Sequence, residues 1–172
     1  MVRMQSYISK FFLLLLTMAL VACGSTSGGR KGGHGGYTKP PLVVKVGAGP
    51  NRALAVQAMK YLGTPYHFGG SSPAEGFDCS GLVQWSGKQS LGINLPRTTT
   101  QQSVFGEELR YEQLQAGDLV FFNTSGQPNS HVGIYLGNTF FVHAPSSGGV
   151  VRVESLNNPY WQPRINLARR IR

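Results

Sequence analysis

The sequence is poor in acid and in cysteine. Asp and Glu number 7 against 16 Lys and Arg in 172 residues. A surplus of that size favours anionic surfaces of some kind. Nucleic acid is not the partner indicated: no cysteine set with zinc-ligand spacing is present, and no aromatics alternate with the basic residues to stack bases. The chain also lacks a long apolar run. Phe11 to Ala22 is apolar over about a dozen residues, too short to span a bilayer as a mature anchor. No internal repeat is visible. What remains is a chain long enough for one domain with a core of ordinary size.

The N-terminus reads as an export signal. Arg3 and Lys10 give the positive start, the apolar run follows, and Leu20-Val21-Ala22-Cys23 closes it. Small residues followed by cysteine resemble a bacterial lipobox. The resemblance implies that residues 1–22 are a lipoprotein signal peptide and that Cys23 becomes acylated, because several acyl chains hold a protein on a membrane where one does so marginally. The alternative is an ordinary secretory signal with an incidental cysteine. Gly24 next to the cysteine implies, by family resemblance, an outer-membrane anchor facing the periplasm. In that setting anionic lipid or an anionic wall polymer suits the basic surplus, to which Arg164, Arg169, Arg170 and Arg172 contribute. Residues 23–50 are expected to be the lipidated cysteine and a flexible Gly-rich tether. His34 in that stretch reads as no metal ligand.

An acylated Cys23 leaves Cys79 without a partner. A lone thiol in an exported protein either does chemistry or is a buried, inert side chain. Its neighbours bear on that choice. Asn51 to Leu62 reads as an amphipathic helix capped by Asn51 and closed by Gly63. Ser80 to Gln89 reads as a second helix, with Asp78 as N-cap and Leu82, Val83 and Trp85 as core candidates. Cys79 then lies in a helix's first turn, where unpaired N–H groups and the helix dipole favour an anion and are expected to lower the thiol pKa. N–H groups at the same turn can hold an oxyanion.

A thiol nucleophile needs a base. Ser130 to Gly137 and Thr139 to Ala144 both read as strands, with a hairpin signal at Gly137-Asn138. His131 lies on the first and His143 on the second. Parity then gives a test. A regular two-residue loop at Gly137-Asn138 pairs His143 with Val132 and puts the two histidines on opposite faces. A loop of odd length, or one bulge, puts them on the same face. If both act at one site, the hairpin must contain such a feature.

The ordered motifs Gly63-Thr64-Pro65-Tyr66, Gly69-Gly70, Phe77-Asp78-Cys79-Ser80-Gly81, Leu95-Pro96-Arg97-Thr98, Gly117-Asp118-Leu119-Val120-Phe121-Phe122, His131-Val132-Gly133-Ile134-Tyr135 and His143-Ala144 resemble the NlpC-type cell-wall cysteine peptidases. The resemblance covers residues 51–172 and implies a papain-like α+β domain. Its expected form is N-terminal helices packed on an antiparallel sheet of about five strands, at 118–123, 131–136, 139–144, 149–154 and 165–171. It implies Cys79 as nucleophile, His131 as base, and His143 as the group that orients His131. It implies Tyr66 as an oxyanion donor and Asp78, Ser80 and Arg97 in the substrate groove, which is expected where the Cys79 helix start meets the face of the His131 strand. Blander readings stand beside these: Tyr66 as a core cap, Asp78 as only an N-cap, His67 as structural or groove-lining. Asp118 reads as turn geometry. Ala116 departs from the family's usual Pro and touches nothing catalytic.

The resemblance implies hydrolysis of peptidoglycan stem peptides or crosslinks, at the D-Glu–diamino acid bond or the D,D crosslink, by a monomer without cofactor or metal. Two other functions remain in view. One is a Cys-His amidase or acyltransferase on another acyl substrate. The other is a catalytically silent wall-binding lipoprotein held on the membrane through Cys23.

Overall fold

The computed structural model describes residues 43–146 and 149–171. The signal segment, Cys23 and the chain as far as residue 42 lie outside the described residues.

Two layers build the domain. Helix α1 (Arg52–Met59) and helix α2 (Cys79–Leu91) form one layer, with a short helix α3 (Thr99–Gln102) beside them. A small hairpin, β1 (Ser71–Ser72) and β2 (Gly76–Phe77), leads into α2. The second layer is an antiparallel sheet of β3 (Glu107–Leu109), β4 (Leu119–Phe122), β5 (His131–Gly137), β6 (Phe140–His143), β7 (Arg152–Ser155) and β8 (Ile165–Arg170), in the order β3-β8-β4-β5-β6-β7. The sheet is one strand larger than the sequence suggests. The extra strand, Glu107–Leu109, is a three-residue edge with two exposed glutamates, and no alternation of that length is readable.

Alternation along β4, β5 and β6 divides the core. Leu119, Phe121, Val132, Ile134 and Val142 point to the helices, where they meet Leu54, Ala55, Ala58, Leu82 and Val83. Val120, Phe122 and Phe141 point the other way and pack with Leu156 and Trp161. The α1 core stripe is therefore Leu54, Ala55 and Ala58, at helical spacing. Asn51 does not cap that helix with its side chain; its amide instead donates to the Ile171 carbonyl.

The β5–β6 hairpin contains the irregularity that parity demands. Ile134 pairs with Val142 and Tyr135 with Phe141, but Gly137 pairs with Phe140, so Leu136 is an extra residue in β5. The loop lies one residue later than its Gly-Asn signal indicates. Asn138 and Thr139 are its two central residues, with φ of 51° and 68°, the left-handed pair of a tight hairpin turn. The Leu136 carbonyl accepts from the Gly47 N–H at 2.7 Å. A β-carbon on Gly137, whose φ is 97°, would lie 3.3 Å from Gly47. The segment before α1 is thus docked on the hairpin, and Val44 and Val46 pack on the core. Residues 43–50 belong to the fold rather than to a tether.

The C-terminal arginines are also used internally. Arg170 holds the fully buried Asp118 through both guanidinium ends at 2.8 and 2.7 Å, and Arg169 pairs with Glu108 at 2.9 Å. Arg164 lies over the Tyr160 ring at 4.1 Å. Asp118 has the turn role expected of it, since its carboxylate also accepts from the Gln115 N–H.

Candidate active site

Asp78 places Cys79. Its backbone is extended, and its Oδ1 accepts from the Gly81 N–H at 2.7 Å, capping α2. The approach to that cap is tight. Asp78 N–H donates to the Gly70 carbonyl, and a β-carbon on Gly81 would lie 2.1 Å from the same oxygen. Only glycine fits at Gly81, which is the physical content of the Cys-Ser-Gly run.

Arg97 completes the support. Its Nη1 and Nη2 donate to Asp78 Oδ1 and Oδ2 at 2.9 and 2.6 Å, a two-pronged ion pair. Nη1 also donates to the Ser80 hydroxyl at 2.8 Å, and Ser80 donates to Asp78 at 3.1 Å. Burial raises the Asp78 carboxyl, but hydrogen bonds from Arg97 and Gly81 outweigh it, and the net effect holds the carboxyl below its usual range. The Asp78 hydrogen bond holds the Arg97 guanidinium above its usual range. Asp78 and Ser80 are buried, and Arg97 is partly exposed. The trio forms one network next to the thiol.

The Cys79 sulfur accepts a hydrogen bond from the Val132 N–H, so the start of α2 touches β5 one residue after His131. Burial pushes the thiol up to about 11, the nearby Asp78 carboxylate adds to this, and N–H groups of Val132, Ser80 and Cys79 pull the other way. The helix start therefore does not yield a low thiol pKa, as the sequence pattern suggests. The cost of desolvating a sulfur anion outweighs the helix end.

His131 and His143 lie on one face, with His131 Nε2 and His143 Nδ1 at 2.8 Å and their rings perpendicular. This is not the face the helices cover. The rings stand among Phe122, Phe141 and Trp161, with Trp161 stacked on His131 at a centroid distance of 5.5 Å. The thiol meets β5 near its N-terminal end, at Val132, rather than over the His131 face where the groove is expected. Burial, with Arg152 adding, lowers His131 to about 4. Burial, with His131 and Arg152 adding, holds His143 well below the ordinary range. Among the described residues, His143 Nε2 has no hydrogen-bond partner.

Tyr66 is half-buried and hydrogen-bonds through its N–H to the Gly149 carbonyl. Burial raises its phenol, and Cys79 and Asp78 add to this electrostatically. His67 is exposed. The structure thus brings Tyr66, Asp78, Cys79, Ser80 and Arg97 together at the α2 start, and His131 with His143 on the strands beside it. Trp161 and Arg152 went unread in the sequence. Arg152 and Glu154 do carry a signal, since charges two apart on a strand share a face. Trp161 lies in the irregular chain before β8, where no periodicity marks it.

Chemically, the site holds a thiol at the start of α2, an imidazole one residue before the Val132 N–H that meets the thiol, and a second imidazole bonded to the first. All three ionisable groups rest neutral near pH 7. That suits a nucleophile whose proton leaves only as it attacks.

Residues 63–170 match the model of the NlpC/P60 family. Over 115 residues the chain is 44% identical to the murein DD-endopeptidase MepS/murein LD-carboxypeptidase of Escherichia coli K12, covering 67% of this chain and 60% of that protein. It is 47% identical to the probable endopeptidase NlpC of the same strain over 116 residues, covering 67% of this chain and 74% of the relative. The crystal structure of the NlpC/p60 domain of the peptidoglycan hydrolase SagA superposes with a TM-score of 0.62 at 35% identity, covering 70% of this chain and 98% of that one.

Proposed function

Because the chain belongs to the NlpC/P60 family, we propose that it is a cysteine endopeptidase acting on peptide stems or crosslinks of peptidoglycan. The observation that carries this reading is the pairing of a helix-start thiol hydrogen-bonded at Val132 with an adjacent His131–His143 couple 2.8 Å apart. Relatives named as murein and peptidoglycan hydrolases support the substrate class.

In this mechanism His131 Nδ1 takes the Cys79 proton as Sγ attacks the carbonyl carbon. For Nδ1 to be bare, the His131 proton must lie on Nε2 and be donated to His143 Nδ1. His143 then carries its own proton on Nε2. It positions His131 and does not touch substrate. The Tyr66 hydroxyl and the Cys79 N–H are the donors for the oxyanion. The C–N bond breaks as His131 returns the proton to the leaving amine. Water, deprotonated by neutral His131, then attacks the thioester and frees Cys79. Asp78, Ser80 and Arg97 hold the α2 start and border the acyl side of the groove.

Anchoring belongs to the same proposal. Cleavage before Cys23 and its acylation would hold the enzyme on the outer membrane, facing the wall. The chain's alternation of signal, Gly-rich stretch and folded domain supports that reading.

Mass spectrometry of products from defined muropeptides, with Cys79→Ala as control, tests the activity. New free amines released by the wild type alone support it. Identical, intact muropeptides from both proteins would leave the wall-binding reading.

A further inference from the structure

The strap of residues 44–49, which leads into α1, is held at two backbone points. Gly47 N–H donates to the Leu136 carbonyl at 2.7 Å, and the Ala48 carbonyl accepts from the Ala116 N–H at 3.2 Å. Val44 and Val46 pack on the core between them. Two glycines let the strap lie this close, and they differ in what they tolerate. A β-carbon on Gly49 would lie 2.9 Å from the Ala116 nitrogen and closer still to the Ala116 carbonyl oxygen, so no side chain fits there. A β-carbon on Gly47 would lie 3.4 Å from the Leu136 oxygen and 3.6 Å from the Gly137 Cα, which are ordinary contacts. Alanine therefore fits at Gly47 and keeps its N–H. The point the strap holds is the bulge itself, since Leu136 is the residue that breaks the β5–β6 register.

We propose that this strap is a positioning element of the active site, and that Gly47 N–H, by holding the Leu136 bulge, keeps His143 in hydrogen-bonding distance of His131. Gly47 touches neither substrate nor a reacting atom; it acts through Leu136 and β6. A bulged residue leaves backbone groups outside the strand ladder, and they need partners elsewhere. Leu136 is fully buried, so without Gly47 its carbonyl loses that partner away from water. The hairpin then shifts to recover one, and β6 carries His143 with it. A misplacement of about 1 Å in a catalytic group costs on the order of 100-fold in rate. Asp78 and Arg97 fix the α2 start and the acyl side of the groove without the strap. Loss of the strap is therefore felt at the base, in kcat, and not in substrate binding. The inference rests on the peptidase reading for this kinetic consequence only; the His131–His143 bond can be followed without substrate.

The test sets Gly47→Pro, which removes the N–H, and Gly49→Ala, which lifts the strap off Ala116, against Gly47→Ala as the conservative variant. Leu109→Ala serves as a destabilised control, because Leu109 is buried on the edge strand β3, away from the hairpin. With kcat taken per folded molecule, the fraction read from urea unfolding, Gly47→Pro and Gly49→Ala are expected to lose about tenfold or more in kcat with KM within about twofold. Gly47→Ala is expected to keep most of it, and Leu109→Ala to lose stability alone. Nitrogen NMR should show the His131 proton held on Nε2 in wild type and Gly47→Ala, and shared between the two ring nitrogens in the other two strap variants. Wild-type kcat and nitrogen signals in Gly47→Pro and Gly49→Ala, with only the urea midpoint lowered, overturn the proposal and leave the strap a stabilising segment. If those two variants do not fold, Val44→Ala/Val46→Ala decides: it loosens the strap and keeps every backbone group. A smaller loss of kcat with the same nitrogen change supports the proposal, and no change overturns it. If wild type cuts no stem substrate, the peptidase reading fails, and the nitrogen signals decide the role of the strap by themselves.

Discussion

His131 and His143 share a hydrogen bond of 2.8 Å because Leu136 is one residue too many in its strand. Without the bulge, His143 would fall on the helix-covered face, two strands' pleat away from its partner. The bulge is stabilised by Gly47, whose N–H takes up the Leu136 carbonyl. The first consequence concerns His143. Replacing it with Ala should lower kcat about 100-fold or more and change KM little, since a positioning group acts on the base. His143→Gln should recover part of the loss, because its amide oxygen can accept from His131 Nε2–H. Nitrogen NMR should find the His131 proton on Nε2 in the wild type. A proton on Nδ1 would contradict the assigned direction of the hydrogen bond.

The same pair makes folding stability depend on pH. His131 titrates near 4 in the fold against 6.5 when unfolded, and His143 is lowered as well. Between those values the unfolded chain binds protons that the folded chain does not. Stability is therefore fully present above about pH 6.5 and falls as pH drops toward 4, by on the order of 3 kcal/mol for His131 alone. Urea unfolding across this window should show the slope. A His131→Gln/His143→Gln double variant should flatten it, and an unchanged slope would contradict the assignment.

The thiol is expected to rest protonated. Cys79 is pushed up to about 11, so alkylation by iodoacetamide should rise about tenfold per pH unit between about pH 6 and 9 without levelling. A plateau reached by neutral pH would show a standing thiolate and contradict the neutral resting pair.

Asp78 holds the helix cap and the guanidinium together, so Asp78→Asn should destabilise by about 2–4 kcal/mol, read from the urea midpoint at constant slope. The carboxyl is held below its usual range, so its contribution is present at neutral pH and is lost only as pH falls through the folded value. A midpoint within error of wild type would contradict a stabilising role for the Asp78 carboxylate.

Tyr66→Phe removes one oxyanion donor. Because the phenol is raised, its proton is present throughout the neutral range. The variant should lose about 10- to 100-fold in kcat with unchanged stability. Equal loss of kcat and of folded protein would make Tyr66 a core cap.

Much of this arrangement could be read in the chain. The spacing from Phe77 to Gly81 marks a capped helix with cysteine first, and strand parity requires an odd-length loop or a bulge in the hairpin if His131 and His143 are to act at one site. The hairpin shows why boundaries were harder: Gly137 attracts the turn, yet the strand pair turns at Asn138-Thr139 because Gly137 is needed at the bulge. The thiol pKa departs from its sequence expectation for a related reason. A helix start is visible in sequence, but burial against Val132 is a tertiary fact, and it dominates. Trp161 and the Arg152–Glu154 pair gained meaning only when β7 was placed beside β6 and the Trp161 loop was folded over the histidines.

Intact-protein mass spectrometry after acid quench tests the central claim most directly. With a defined stem peptide in excess, the enzyme should gain the mass of the acyl fragment, and digestion should map that mass to the peptide carrying Cys79. Cys79→Ala should gain nothing and release no amine. Hydrolysis by Cys79→Ala at the wild-type rate, or an acyl adduct on another residue, would contradict it.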